Sequence, residues 1–270
     1  MSPDLPTQRV HTRIWLEEPE PDNDFATRAA FCAGYDVYGQ MLGRTRWAEM
    51  LYLLLRGEAP TWAQADLLEA LSVALANPGP RDPAVHAAMG AGVGGSTPAS
   101  ALVAALAVGA GQSTGAREVW ASMGMFASCG TSPGAWEKAL SRPEPTPAGV
   151  WPQPTAGDHP AGFEAHGTRT GGIVLRTLDV LASMSPSHCL PWLRDNRESI
   201  ERVAGRPVSM AGVAAAAFTD LGFTPDEGEM LHLLLRLPGA AAHALEQREV
   251  GHKNFPFFAL DLQDDPRGAA

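Results

Sequence analysis

Over most of this chain the apolar residues recur at helical spacing. In 62–75, Leu68, Leu71 and Leu75 fall on one face of a helix. Segment 47–55, WAEMLYLLL, is apolar all round and is expected to be central. Segments 98–110 and 210–219 are alanine-rich, which favours helix and lets helices pack closely. Further helices are expected near 114–128, 132–140, 172–184, 189–203, 226–236 and 239–248. Convincing strand alternation is absent, and so are long β-branched runs, which argues against a parallel sheet. The expected fold class is therefore all-α.

Helix starts support this reading. Asp82-Pro83, Thr97-Pro98, Ser132-Pro133 and Thr224-Pro225 each place a capping side chain before a proline. A proline at the first helical position loses nothing, because its N–H would have had no partner there. Thr61 with Gln64, and Thr224 with Glu227, have capping-box spacing. Residues 1–24, rich in Pro, Asp and Glu, read as an extended N-terminal arm. Residues 25–258 read as the helical domain, interrupted by a Pro-rich hinge over 141–161, and 259–270 as a polar tail. The glycine-rich run 90–95 lacks the preceding strand that a dinucleotide loop requires, so it reads as a flexible turn before the helix at 98.

Composition narrows the function classes. With 45% apolar and 19% charged residues, 270 residues can bury a core without disulfides or metals. A net charge of −10 repels phosphate backbones and anionic lipid, so neither nucleic acid nor membrane is expected as a partner. A few arginines in a cleft could still set a local field against the global sign. Cys32, Cys129 and Cys189 are far apart and form no metal or disulfide pattern. The eight histidines show no H-E-x-x-H spacing, so no metal and no tightly bound cofactor are expected. His188 beside Cys189 reads as chance in a helix start. No G-x-S-x-G elbow is present. MSPDLPTQRV has no apolar core of a signal peptide, and no stretch reaches membrane-span length, so a cytoplasmic location is expected.

One segment carries chemistry in an apolar setting. LHLLLRLPGAAAHALEQ, 231–247, holds Arg236, His243 and Glu246, the last two on one helical face. A guanidinium there needs an anion or carbonyls. A buried structural ion pair and a ligand site both satisfy that need.

The pattern R-x-x-G-x-x-A-H-x-x-E-Q in that segment resembles the C-terminal signature of the citrate synthase family, above all its short citryl-CoA lyase-like members. Other stretches agree in order: Gly34-Tyr35-Asp36; WAEMLYLLLRGEAPT over 47–61; Gly115-Ala116 with Glu118, like the end of H-G-G-A-x-E; Gly162-Phe163, like the start of G-F-G-H; and GVAAAAFTDLGF over 212–223, like the helix after N-x-D-G. The resemblance spans about residues 25–255 and rests on the ordered set.

It implies an all-helical fold with a large bundle and a small lobe, and an active site at a dimer interface. It also implies carbon–carbon chemistry between an acyl-CoA and a 2-oxo acid or tricarboxylate, with the coenzyme A thioester as substrate. A homodimer or a heterodimer with a paralogue is expected. In the family an aspartate removes the thioester α-proton, one histidine stabilises the enolate and another polarises the ketone. Here the aspartate falls on Ala211 and the enolate histidine on Ser113. The ketone histidine falls on Ala165 or, one residue on, His166. Alanine takes no proton, and serine donates a hydrogen bond without carrying charge. Arg236 matches the carboxylate-binding arginine and His243 the adjacent histidine, while Arg169 and Arg176 are spaced to supply a second anion contact. Three readings follow: an enzyme using His166 with Glu164 or Asp158 as base; a non-catalytic member that binds a coenzyme A ester or carboxylate or serves an active paralogue; or a helical scaffold in which Arg236 is a structural ion pair.

Overall fold

The structure is a computed structural model and describes residues 11–112, 115–141 and 159–256. The hinge expected over 141–161 and the tail over 259–270 fall largely or wholly outside the described residues, as do Ser113 and Asp158.

The chain is mostly helical. In order the helices are α1 Trp47–Arg56, α2 Trp62–Leu75, α3 Pro83–Val93, α4 Pro98–Gly109, α5 Ala116–Cys129, α6 Pro133–Leu140, α7 Gly172–Met184, α8 Cys189–Ala204, α9 Met210–Asp220 and α10 Pro225–Val250. Most of the expected caps form where the sequence places them. The Asp82 carboxylate accepts from the amides of Ala84 and Val85 at 3.0 and 3.3 Å. Thr61 and Gln64 exchange hydrogen bonds of 2.9 and 3.3 Å, as Thr224 and Glu227 do at 2.7 and 3.3 Å. Ser132 precedes its helix without a side-chain cap bond.

Three expectations need correction. First, strands exist: β1 Trp15–Glu20, β2 Asn23–Cys32 and β3 Tyr35–Asp36 form an antiparallel sheet in that order, so much of the expected arm is a hairpin. Trp15 pairs with Cys32 and Leu16 with Phe31. Its faces are largely exposed, and only Ala30 and Cys32 are buried, so no apolar alternation was needed. Second, the glycine run is not a free turn, because α3 continues through Gly90 and Gly92. Gly92 must lack a side chain there, since a Cβ would overlap the Ala244 carbonyl. Third, the two helices expected over 226–236 and 239–248 are one helix with Pro238 inside it. Pro238 has no N–H to give the helix ladder. The Gly239 N–H instead donates to the Ala76 carbonyl at 2.8 Å. A Cβ on Gly239 would stand 2.7 Å from both that oxygen and the Asn77 Cα.

The chain divides into two compact units, one of residues up to Leu75 with Gln112–His232, the other of Ala76–Gly111 with residues from Leu233 onward. In the first, α9 is the central helix: Val213 through Phe218 are all buried. Its alanines present little bulk, which admits close neighbours such as α5. The segment 47–55 is less central than its composition implies, since Trp47 stays 66% exposed while Ala48, Leu51, Tyr52 and Leu53 are buried. At the far end of α9 the buried Asp220 carboxylate accepts from the Cys189 and Leu190 amides at 2.7 and 2.9 Å and from Ser185 at 2.7 Å. It thus caps α8 from another helix, where an anion is favoured. In the second unit, α3, α4 and the end of α10 pack around Val85, Ala88, Ala101, Ala105, Ala240 and Ala244.

A close backbone-to-backbone contact in the first unit joins the segment before α7 to the start of α9. A Cβ on Gly212 would overlap the Gly162 carbonyl, and Gly162 itself sits at φ +87°. Gly212→Ala is therefore expected to lower the unfolding free energy by about 1–3 kcal/mol. Gly124→Ala, at an open position inside α5, is expected to be neutral or stabilising by up to about 1 kcal/mol. Urea denaturation of the two variants checks this contrast.

Candidate functional site

The segment 159–170 carries several of the positions singled out in the sequence, Glu164, Ala165, His166 and Arg169. It is laid against the turn between α8 and α9 by three backbone features. The Glu164 N–H donates to the Pro207 carbonyl at 2.7 Å, the Ser209 N–H donates to the Gly162 carbonyl at 3.0 Å, and Phe163 bridges Val208 in antiparallel fashion. Ser209 also caps α9, accepting from the Gly212 amide at 3.3 Å. Gly162 is tied in turn to α5, its N–H donating to the Glu118 carboxylate at 3.1 Å. His159 Nε2 lies 3.9 Å from the same carboxylate. Glu118 is buried in the first turn of α5, where the helix amides favour negative charge.

These ties bring Ala165 and Ala211 to the two segments that meet at Gly162 and Gly212. Both are half-buried, and neither side chain can move a proton. His166 and Arg169 are exposed, and Glu164 is half-buried. The Ala165 carbonyl is held by Arg206, whose Nη1 donates to it at 2.7 Å.

Beside this junction, within the first unit, opens a cleft of about 620 Å³. Four arginines line it, Arg169, Arg197, Arg202 and Arg206, with Thr168, Thr170, Glu198 and Glu201. Glu201 organises its floor, accepting from Arg197 at 2.6 Å, from the Val208 amide at 2.9 Å and from the Thr170 hydroxyl. The side chains of Arg169 and Arg202 make no hydrogen bond or ion pair among the described residues. A chain of net charge −10 thus keeps a locally positive, partly pre-ordered cleft. Arg169 was legible from its spacing after Gly162-Phe163. Arg197, Arg202 and Arg206 were not, because nothing in their own spacing marks them until Glu201 and the α8–α9 turn gather them. Arg176 is exposed on α7 and does not line this cleft.

Arg236 and His243 belong to the second unit. Arg236 forms an ion pair with Asp82, the residue that caps α3. Both side chains are nearly enclosed, at 13% and 12% exposure. His243 faces Glu246 at 3.4 Å. The expected partner of Arg236 is therefore met in part by the chain's own carboxylate.

The cysteines offer no nucleophile. Cys32 and Cys129 are buried, which raises their pKa values. Cys189 is pushed up to about 12, first by burial and then by the neighbouring Asp220 carboxylate. Among the described residues no group of three or more His, Cys, Asp or Glu side chains is arranged to hold a metal ion. No helix among them is long and apolar enough to cross a membrane.

No protein-family model and no curated protein sequence matches the chain. Solved structures do match. The citryl-CoA lyase of Hydrogenobacter thermophilus superposes with a TM-score of 0.71 at 18% identity, over 97% of this chain and 99% of that one. The ATP citrate lyase of Methanothrix soehngenii, solved with citrate and coenzyme A, gives 0.68 at 16% identity over 95% of this chain. A mutant ATP citrate lyase of Methanosaeta concilii with (3S)-citryl-CoA gives 0.68 at 16% over 97%. This chain spans 42% and 43% of those two longer proteins. The chain therefore has the citryl-CoA lyase-like, mostly helical fold.

The Arg236–Asp82 pair yields a direct test of its structural share. Arg236→Met alone leaves a nearly enclosed carboxylate without its cation, and is expected to cost about 3 kcal/mol. Adding Asp82→Ser removes that charge while keeping a capping hydroxyl, and is expected to recover most of the loss. Equilibrium unfolding of the single and double variants measures it.

Proposed function

We propose that this chain acts on a coenzyme A thioester, as a citryl-CoA lyase-like protein. It makes or breaks the carbon–carbon bond between an acyl-CoA and a 2-oxo acid or tricarboxylate. The observation that carries this reading is the arginine-lined cleft, which adjoins the two segments where the resemblance puts the chemistry. Guanidinium groups bind phosphate oxygens in pairs of charge-assisted hydrogen bonds. Arg169 and Arg202 hold the phosphates of the nucleotide end, with the Thr168 hydroxyl as a further donor. Arg206 fixes the Ala165 carbonyl and so the course of 162–166 beside the thioester. In the second unit, Arg236 and His243 are further candidates for holding a carboxylate, Arg236 by exchanging Asp82 for a bound anion, and the assembled protein is a homodimer or a pair with a paralogue.

A second reading is favoured by a specific observation, the methyl groups of Ala165 and Ala211 where the family carries a polarising histidine and a base. In that reading the chain keeps the cleft and binds a coenzyme A ester or a carboxylate without turning it over. Loss of a general base commonly lowers rates by about 10²–10⁴-fold.

Thiol release from the purified chain separates the two. Acetyl-CoA and propionyl-CoA are offered with oxaloacetate and other 2-oxo acids, and citryl-CoA alone is followed by acetyl-CoA formation. Turnover that falls in Arg169→Ala, Arg202→Ala through a roughly 10–100-fold weaker hold on the thioester supports the catalytic reading. Binding of the thioester with no turnover across the panel supports the second. Neither binding nor turnover contradicts both.

A further inference from the structure

Glu201 stands in the wall of the arginine cleft as an anion of the protein's own. Arg197 donates to one of its carboxylate oxygens at 2.6 Å. The Val208 amide donates to the other at 2.9 Å, and the Thr170 hydroxyl shares that oxygen. Arg197 also meets Glu198 at 3.1 Å, but that carboxylate is 81% exposed, and a pair so open to water contributes little. The Arg197 and Glu201 side chains are 20% and 16% exposed, so their pairing is largely withdrawn from solvent.

The four arginines of the cleft therefore differ in what they offer a ligand. The Arg169 and Arg202 side chains make no hydrogen bond or ion pair among the described residues. Arg206 spends one nitrogen on the Ala165 carbonyl, a neutral acceptor that leaves its charge in place. Arg197 has its charge countered by a carboxylate of the same wall. An incoming phosphate reaches Arg197 only by displacing Glu201. Glu201 cannot withdraw without giving up Thr170 and Val208, the bonds that tie the segment before α7 to α8 and to the α8–α9 turn.

We infer that Glu201 is a positioning residue of this site, which holds Arg197 in the wall and so limits how tightly the cleft grips an anion. The inference deepens the reading above that the cleft takes the phosphates of a coenzyme A thioester, and rests on it for the identity of the anion. Arg169 and Arg202 stay open to the ligand while Arg197 is masked. A grip limited in this way lets a multiply charged product leave.

The full-length chain is titrated by calorimetry with coenzyme A and, separately, with inorganic pyrophosphate, at low and at high salt. Thermal unfolding of each variant is followed alongside. Glu201→Gln keeps an acceptor oxygen for Thr170 and Val208 but loses the charge that holds Arg197. It is expected to bind both probes about 3–10-fold tighter than wild type at low salt, with the gain fading as salt rises. Glu198→Gln changes the net charge equally from a solvated position, and is expected to change affinity by less than about twofold. The double variant Arg197→Gln, Glu201→Gln is expected to return to within about threefold of wild type. Arg197→Gln with Glu201 intact is expected to cost several-fold less affinity than Arg202→Ala. A carboxylate that only braces the fold predicts the opposite sign, with Glu201→Gln unfolding at lower temperature and binding more weakly. That result, an equal gain in Glu198→Gln, a gain that persists without Arg197, or equal losses in Arg197→Gln and Arg202→Ala overturns the inference and leaves the coenzyme A reading standing. The expected pattern with pyrophosphate but no binding of coenzyme A supports the role of Glu201 and overturns the coenzyme A reading. Failure of both probes to bind wild type and Glu201→Gln overturns both.

Discussion

Two glycines, Gly162 and Gly212, meet so closely that neither tolerates a Cβ, and the first unit's candidate site is built outward from that contact. Gly162 gives its carbonyl to the Ser209 amide and its own amide to Glu118, so one residue joins α5, the 159–170 segment and α9. The alanines of α9 extend the same logic inward. A helix buried on every side must be thin if its neighbours are to approach, and Val213 to Phe218 carry four consecutive alanines between two larger side chains. Glu118 and Asp220 act at opposite ends of this packing. Each is a buried carboxylate that accepts backbone amides from a different segment, so each holds two elements in register.

The electrostatics follow from where charge is spent. The chain is acidic overall, yet the end of α8 and the 167–170 segment collect four arginines around a single organising glutamate. Glu201 neutralises Arg197 and braces Thr170 and Val208, which leaves the Arg169 and Arg202 side chains to face solvent in a concave setting. Such a setting is locally more favourable to anions than the global sign implies, because nearby charges dominate within a screening length of about 8 Å at physiological salt.

Much of the fold was legible in the sequence because its helices advertise their starts. Proline after Asp82, Thr97, Ser132 and Thr224 marks four of them, and each opens a helix in the structure. The hairpin at 15–32 was hidden because an exposed sheet needs little apolar patterning. Its Pro-, Asp- and Glu-rich first half read as an extended arm. The Leu237-Pro238-Gly239 break was misleading because the missing helix bonds are offset by the close approach to Ala76, a contact from distant sequence. Of the candidate residues, Arg169, Ala165 and Ala211 could be placed by motif spacing. Glu118 was visible as the end of a motif, but its partner His159 was not, since no local pattern ties a histidine beside a Pro-rich stretch to a helix more than forty residues earlier.

The central claim is that the cleft beside Gly162 holds the phosphates of coenzyme A. Calorimetric titration of the full-length chain with coenzyme A, and in parallel with pantetheine, which carries the thiol arm without the nucleotide and its phosphates, tests it most directly. The account predicts binding of coenzyme A that weakens steeply as salt is raised, and much weaker binding of pantetheine. Equal affinity for the two, or no binding of coenzyme A at low salt, would contradict it.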